Sequence, residues 1–196
     1  MAAVDSIHRS KPGAQKRVLT AEERQKYLEI AETSEYKTML LIQYYLGTRI
    51  GENIGLRWGD IDWTNGTVHI QRDYDLMYRR FDDLKTATSD RLVPLPTILR
   101  DYLYPIRQHP DSQISTATHA VVFNLFRDVG IQLGIDGFSS HWLRHNYISV
   151  CWENGIDIYA TARFAGHTTI KTTMDIYTHL SQQAEKTNAQ KVREMF

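Results

Sequence analysis

Residues 139–180 read SSHWLRHNYISVCWENGIDIYATARFAGHTTIKTTMDIYTHL. Ser139 or Ser140 suits a helix N-cap, and an apolar-periodic run follows as far as Asn154-Gly155. On a wheel of roughly 100° per residue, Leu143, Tyr147, Ile148, Val150, Cys151 and Trp152 share one wide apolar arc. Trp142, Asn146, Ser149 and Glu153 lie opposite. Arg144 falls inside the apolar arc and His141 at its edge. A guanidinium cannot shed its proton, so an Arg directed inward calls for an anion. Both residues sit in the first turn, where free N–H groups and the helix dipole also favour negative charge. A phosphate and a buried carboxylate each meet that need, and the helix alone does not choose between them. His141 and His145 are i,i+4, a metal-ligand spacing. However, the Glu of a His-Glu-x-x-His motif is missing, and Arg144 would set a cation beside any bound dication.

A second helix is predicted from Asp157 to Ala165, with Asp157 as its cap and Gly166 in the left-handed position past its end. His167 then stands at a helix end. Thr168 or Thr169 opens a third helix with Ile170, Met174 and Tyr177 on one stripe. Taken singly, Tyr177 reads as a core aromatic and His167 as a solvated turn residue.

The remaining sequence supplies a scaffold. At 196 residues the chain fits one domain with tails and is long enough for a core. It has no long apolar run and no apolar leader at its N-terminus, so neither a membrane span nor a secretory signal is expected. The single cysteine, Cys151, implies no disulfide framework and points to an intracellular protein. Lys and Arg number 23 against 23 Asp and Glu. A nucleic-acid partner would therefore require the charges to be segregated on different faces.

Residues 1–19 are polar and basic, with Pro12-Gly13 in the middle, and read as an arm or linker. Thr20-x-x-Glu23 is a capping box that opens a helix to about Thr33. A second, largely apolar helix runs from about Tyr36 to Leu46 and ends at Gly47. Arg49 and Glu52 follow within Thr48-Arg49-Ile50-Gly51-Glu52-Asn53, and then a short helix reaches Arg57. Alone they read as a surface pair, worth little. Asn65-Gly66 predicts a type I′ hairpin turn between Asp60 and Ile70. Arg91-Leu92-Val93-Pro94 forms a third strand after an excursion from Arg72 to Asp83, itself either extra strand or loop. Amphipathic helices are expected at Thr97–Gln108 and Thr118–Leu133. The tail from Ser181 to Phe196 is polar and helix-permissive, with an apolar Met195-Phe196 end.

The ordered set His141-x-x-Arg144, Gly166-His167 and Tyr177 resembles the C-terminal signature of the tyrosine recombinase (phage integrase) family. Flanking residues extend the likeness: Leu143-Arg144-His145, Asn154-Gly155-Ile156-Asp157 and Thr173-Met174-Asp175-Ile176-Tyr177-Thr178-His179. Gly47-Thr48-Arg49-Ile50-Gly51-Glu52 is similar to the family's Gly-x-Arg-x-x-Glu element, although Leu46 stands where the family more often has Thr. Lys85-Thr86-Ala87-Thr88-Ser89-Asp90-Arg91 resembles its lysine hairpin.

The resemblance covers about Thr20 to Leu180 and implies an α+β, mainly helical catalytic domain with a small three-stranded antiparallel sheet, the DNA breaking-rejoining enzyme fold. It implies Arg49, Lys85, His141, Arg144, His167 and Tyr177 as catalytic residues, with Tyr177 the nucleophile. Arg49, Arg144 and His167 would bind phosphate, and Glu52 would support Arg49. The implied activity is site-specific recombination or integration through a 3′-phosphotyrosine, without metal, ATP or other cofactor. The implied partners are double-stranded DNA and further copies of the chain in a dimer or tetramer, with residues 181–196 docking between subunits. The implied setting is the cytoplasm, at the nucleoid. Full-length members carry an upstream DNA-binding domain, which nothing in these residues provides. A type IB topoisomerase-like nicking-closing enzyme and a non-catalytic DNA-binding relative remain as alternatives.

Overall fold

Thr20 opens the first helix as its sequence requires: its hydroxyl accepts from the Glu23 N–H, and the Glu23 carboxylate accepts from the Thr20 N–H at 2.8 Å. The computed structural model describes residues 18–82 and 90–195. Helix α1 spans Ala21–Thr33, α2 Lys37–Leu46 and α3 Ile50–Gly55. Strands β1 (Ile61–Asp62), β2 (Thr67–Ile70), β3 (Asp73–Asp75), β4 (Arg80–Asp82) and β5 (Arg91–Pro94) come next. Helices α4 (Thr97–Leu103), α5 (His119–Leu133), α6 (Ser140–Glu153), α7 (Ile158–Ala165) and α8 (Ile170–Met195) complete the chain. The expected fold class holds: a mainly helical body with a small antiparallel sheet, ordered β1-β2-β5.

The sheet's register follows its alternation. Val68 pairs with Val93 and with Ile61, so all three buried residues share the face toward the helices. Leu92, on the opposite face, is exposed. Tyr27, Leu40, Ile42, Leu99 and Leu143 are fully enclosed and join α1, α2, α4 and α6 into one core. A smaller cluster of Ile148, Ala165, Ile176 and Leu180 ties α6 to α7 and α8. Because α6 belongs to both clusters, the residues on it are fixed from two sides.

Three local expectations change, and one open choice is decided. The β1–β2 connection is a four-residue turn, since Asp62 pairs with Thr67. The Asp62 carboxylate accepts the N–H groups of Thr64 and Asn65, which holds both in the ordinary turn conformation, and only Gly66 has positive φ. A type I′ turn would need positive φ at two successive residues. The helix expected over Thr97–Gln108 stops at Leu103 and tightens into a 3₁₀ turn over Tyr104–Ile106, because Pro105 has no N–H to continue it. The excursion after Arg72 is extra strand: β3 and β4 form a separate hairpin that packs on α3. Finally, Asn146 and Ser149, assigned by periodicity to a polar arc of α6, are buried. Helix α2 covers one side of α6 while α7 and α8 cover another, so little of it meets solvent.

The helix carrying Tyr177 runs on through the helix-permissive tail to Met195, with Val192 and Met195 exposed along its far half.

Candidate active site

The site is built around one buried carboxylate. Glu52 lies in the first turn of α3, and its side chain is 1% exposed. Oε2 accepts the Arg49 N–H at 2.7 Å, which caps the helix, and Oε1 accepts from Arg49 Nη1 at 2.7 Å. The segment entering α3 is itself fastened. Gln43 of α2 donates to the Thr48 carbonyl, and Asn53 donates to Gln43 Oε1 at 3.0 Å and to the Met39 carbonyl at 2.9 Å. Arg49 thus leaves a rigid backbone, and its Nη2 reaches the Gly166 carbonyl at 3.0 Å.

From β5, Arg91 adds a two-pronged pair to the same carboxylate, Nη1 to Oε1 at 3.0 Å and Nη2 to Oε2 at 2.8 Å. Burial opposes charge on Glu52. The hydrogen bond and charge of Arg91, the charge of Arg144 and the Arg49 N–H outweigh it and hold the carboxyl at about 2.

Arg144 enters from α6. Its side chain is 5% exposed, it donates from Nη1 to the Gly47 carbonyl at 3.0 Å, and the same nitrogen stands 4.0 Å from Glu52 Oε2. Nη2 is buried and has no hydrogen-bond partner among the described residues. Burial lowers the Arg144 pKa; Glu52 resists, Arg49 and Arg91 add to the lowering, and the result is about 9. It remains a cation near neutral pH, but one at a cost that a further anion would relieve. The carboxylate and the phosphate weighed for it from sequence are therefore not exclusive: Glu52 lies near, and Nη2 stays open.

His167 is fixed by the end of α7. Gly166 takes φ +66°, and the His167 N–H returns to the Ala162 carbonyl at 3.0 Å. Its Nδ1 meets the buried Thr173 hydroxyl at 2.7 Å, leaving Nε2 as the ring nitrogen for a ligand. Burial, then Arg144, Arg49, His145 and Arg91, pull its pKa down to about 3. His141, at the head of α6, is also lowered, by lost hydration and by Arg144 and Arg49. Near neutral pH one carboxylate thus faces three guanidinium groups and two neutral imidazoles, which is a site for an anion.

These shifts give a stability prediction of one sign. The unfolded chain binds a proton at His167 between its ordinary 6.5 and about 3, where the folded chain refuses it. Glu52 behaves likewise between 4.5 and about 2. Both contributions are complete above these windows and are lost as pH falls through them. Urea midpoints measured at a series of pH values should fall steadily below about pH 6.5; a flat profile down to about pH 4 would contradict the His167 environment.

Five expected residues, Arg49, Glu52, His141, Arg144 and His167, converge here. Lys85 lies outside the described residues. Tyr177 stands apart: its hydroxyl is 2.9 Å from the Thr161 hydroxyl and donates to the Ile156 carbonyl at 3.0 Å. Burial raises its pKa, the Thr161 hydrogen bond opposes the rise, and Cys151 and Asp157 add to it. Arg91 joins the site in addition to the expected residues. Its signal was available, since strand alternation puts it on the same inward face as Val93, the same anomaly that singled out Arg144.

Residues 17–184 match the model of the phage integrase family. Among relatives, a tyrosine recombinase XerC-like protein of Caldanaerobacter subterraneus subsp. tengcongensis is 26% identical over 201 residues, covering 86% of this chain and 51% of that protein. Transposase A from transposon Tn554 of Staphylococcus aureus is 27% identical over 191 residues, covering 91% and 53%. The crystal structure of XerA recombinase superposes with a TM-score of 0.66 at 21% identity, over 93% of this chain and 67% of that one. The Tn1549 transposon integrase in complex with transposon right end DNA gives 0.69 at 18% identity, over 90% and 67%. The chain belongs to the phage integrase family. It spans about half the length of the curated relatives it matches. Among the described residues, no helix is long and apolar enough to cross a membrane.

Proposed function

We propose that this chain is the strand-cleaving and rejoining part of a site-specific tyrosine recombinase. One observation carries the reading: a buried guanidinium, Arg144, with an unpartnered Nη2, beside a second Arg and two neutral histidines. Those groups suit a phosphodiester whose non-bridging oxygens gain charge as it is attacked. Family membership supports assigning the nucleophile to Tyr177.

In this mechanism the Tyr177 hydroxyl leaves Thr161 and attacks phosphorus in line, giving its proton to a base, for which His141 is the candidate. Arg49 and Arg144 hold the non-bridging oxygens, and His167 donates to the phosphoryl group once the anion supplies the charge that its present surroundings lack. The bond to the 5′-oxygen breaks, and Lys85 is assigned to protonate that leaving group. A 3′-phosphotyrosine remains. Because the new ester retains the energy of the old one, attack by another 5′-hydroxyl reverses the step without ATP or metal. Double-stranded DNA is the substrate in this reading and residues 20–180 are the catalytic unit; of the arm expected over residues 1–19, residues 1–17 lie outside the described residues. The exposed end of α8, with Met195, serves contacts between copies assembled on DNA.

The hydroxyl's engagement with Thr161 and Ile156 favours one competing reading, a relative that binds DNA with its site never assembled. A nicked duplex carrying a candidate site, incubated with excess chelator and run on a denaturing gel, separates the two. The expected result is a covalent adduct that survives the chelator and disappears in Tyr177→Phe. An adduct that persists in Tyr177→Phe, or one lost on chelation, would sink the mechanism.

A further inference from the structure

The three guanidinium groups around Glu52 are not equivalent. The Arg49 side chain is 37% exposed, whereas the Arg91 side chain is 2% exposed and has three of its donors on protein acceptors. Nε of Arg91 donates to the Phe164 carbonyl at 2.8 Å, and its guanidinium fills the space beside Gly166, where a Cβ would lie 2.7 Å from Cζ. That contact is a second reason for glycine at this position. Arg91 lies between α3 on one side and the end of α7 on the other, with these donors turned to protein acceptors.

A carboxylate offers about four lone-pair positions. At Glu52 they are filled: Oε1 accepts from Arg49 Nη1 and Arg91 Nη1, and Oε2 accepts from the Arg49 backbone and Arg91 Nη2. Arg144 approaches Oε2 but is held off at 4.0 Å and turns Nη1 to the Gly47 carbonyl instead. We propose that Arg91 is a positioning residue: by filling the remaining acceptor positions of Glu52, it keeps Arg144 out of a closed ion pair and leaves that guanidinium open to a phosphate. Without Arg91, one acceptor position of Oε2 is freed beside the Arg49 N–H, and this is the oxygen already 4.0 Å from Arg144. Arg144 would then close on Glu52. The same fork links α3 to the Phe164 carbonyl, so it also sets His167 against Arg49. The inference rests on reading this as a phosphate site, but not on DNA cleavage.

Arg91→Lys is the informative variant. It preserves the charge count but cannot hold both Glu52 oxygens and the Phe164 carbonyl with one ammonium. Inorganic phosphate is the probe, followed by the side-chain NMR signals of ¹⁵N-labelled arginine and of His167, with thermal melting to verify the fold. In the wild type, phosphate should move the Arg49 and Arg144 signals and leave those of Arg91 in place. In folded Arg91→Lys, phosphate affinity should fall by about tenfold, as for loss of one charge-assisted contact. Arg91→Lys binding phosphate within about twofold of wild type would mean that charge alone matters, and the inference would fall. It would fall equally if phosphate shifted Arg91 as strongly as Arg144, or failed to shift Arg144 in the wild type. These wild-type outcomes decide the matter even if Arg91→Lys does not fold. Failure to form a DNA adduct while phosphate binds as described would count against the recombinase reading and leave Arg91's role intact.

Discussion

Glu52→Ala is expected to lower the unfolding free energy by about 3–5 kcal/mol, the range for removing one partner of a buried ion pair. The size follows from what the truncation leaves behind. Arg91, 2% exposed, would lose both hydrogen bonds to the carboxylate, and Arg144, 5% exposed, would lose the nearest negative charge. Neither guanidinium can neutralise itself. Arg49 would suffer less, because its partly exposed side chain regains water. The α3 cap on the Arg49 N–H would be lost as well, which alone is worth about 1 kcal/mol. Denaturant unfolding of wild type and variant measures the difference, and a loss below about 1 kcal/mol would show the pair to be weak, like a surface bridge. The cycle with Arg91→Met sharpens the test: with the cation gone too, the double variant should lose clearly less than the two single losses added together.

How much of this arrangement could be read in advance depended on how local its causes are. The capping box at Thr20, the left-handed glycines after α2 and α7, and the alternation of β2 and β5 depend on neighbours in sequence, and each appeared where its residues placed it. Arg144 was legible because a charge in an apolar arc is an anomaly within one helix. Glu52 looked like half of a surface pair because its burial comes from β5 and α6, elements far away in sequence. Asn146 and Ser149 misled for the same reason: periodicity reports one helix face, and α6 has neighbours on more than one. At Asn65-Gly66, the carboxylate of Asp62 overrode a strong dipeptide preference by binding the two N–H groups that follow it. The partners of the Tyr177 hydroxyl, Thr161 and the Ile156 carbonyl, depend on how α7 packs on α8, which no pattern within either helix specifies.

Arg144→Met should separate stability from activity. In the proposed reaction, loss of one donor to the developing phosphoryl charge costs about 10²–10³-fold in cleavage rate. Stability should move the other way or not at all. Arg144 is a buried cation whose Nη2 has no partner among the described residues, whose Nη1 is 4.0 Å from the nearest carboxylate, and whose pKa has been dragged to about 9. Methionine matches much of its length and carries no desolvation cost. The contrast with Glu52→Ala is therefore sharp: both residues belong to one cluster, yet removing the carboxylate strands cations, while removing Arg144 relieves one. Single-turnover adduct formation and denaturant unfolding, measured on the same preparation of Arg144→Met, decide the matter. A variant that cleaves within about tenfold of wild type would take Arg144 out of the transition state. A variant destabilised by more than about 2 kcal/mol would mean that its tie to the Gly47 carbonyl and the attraction of Glu52 outweigh the cost of burying it. The expected outcome, an inactive protein at least as stable as its parent, is the signature of a side chain held in place for its ligand rather than for the fold.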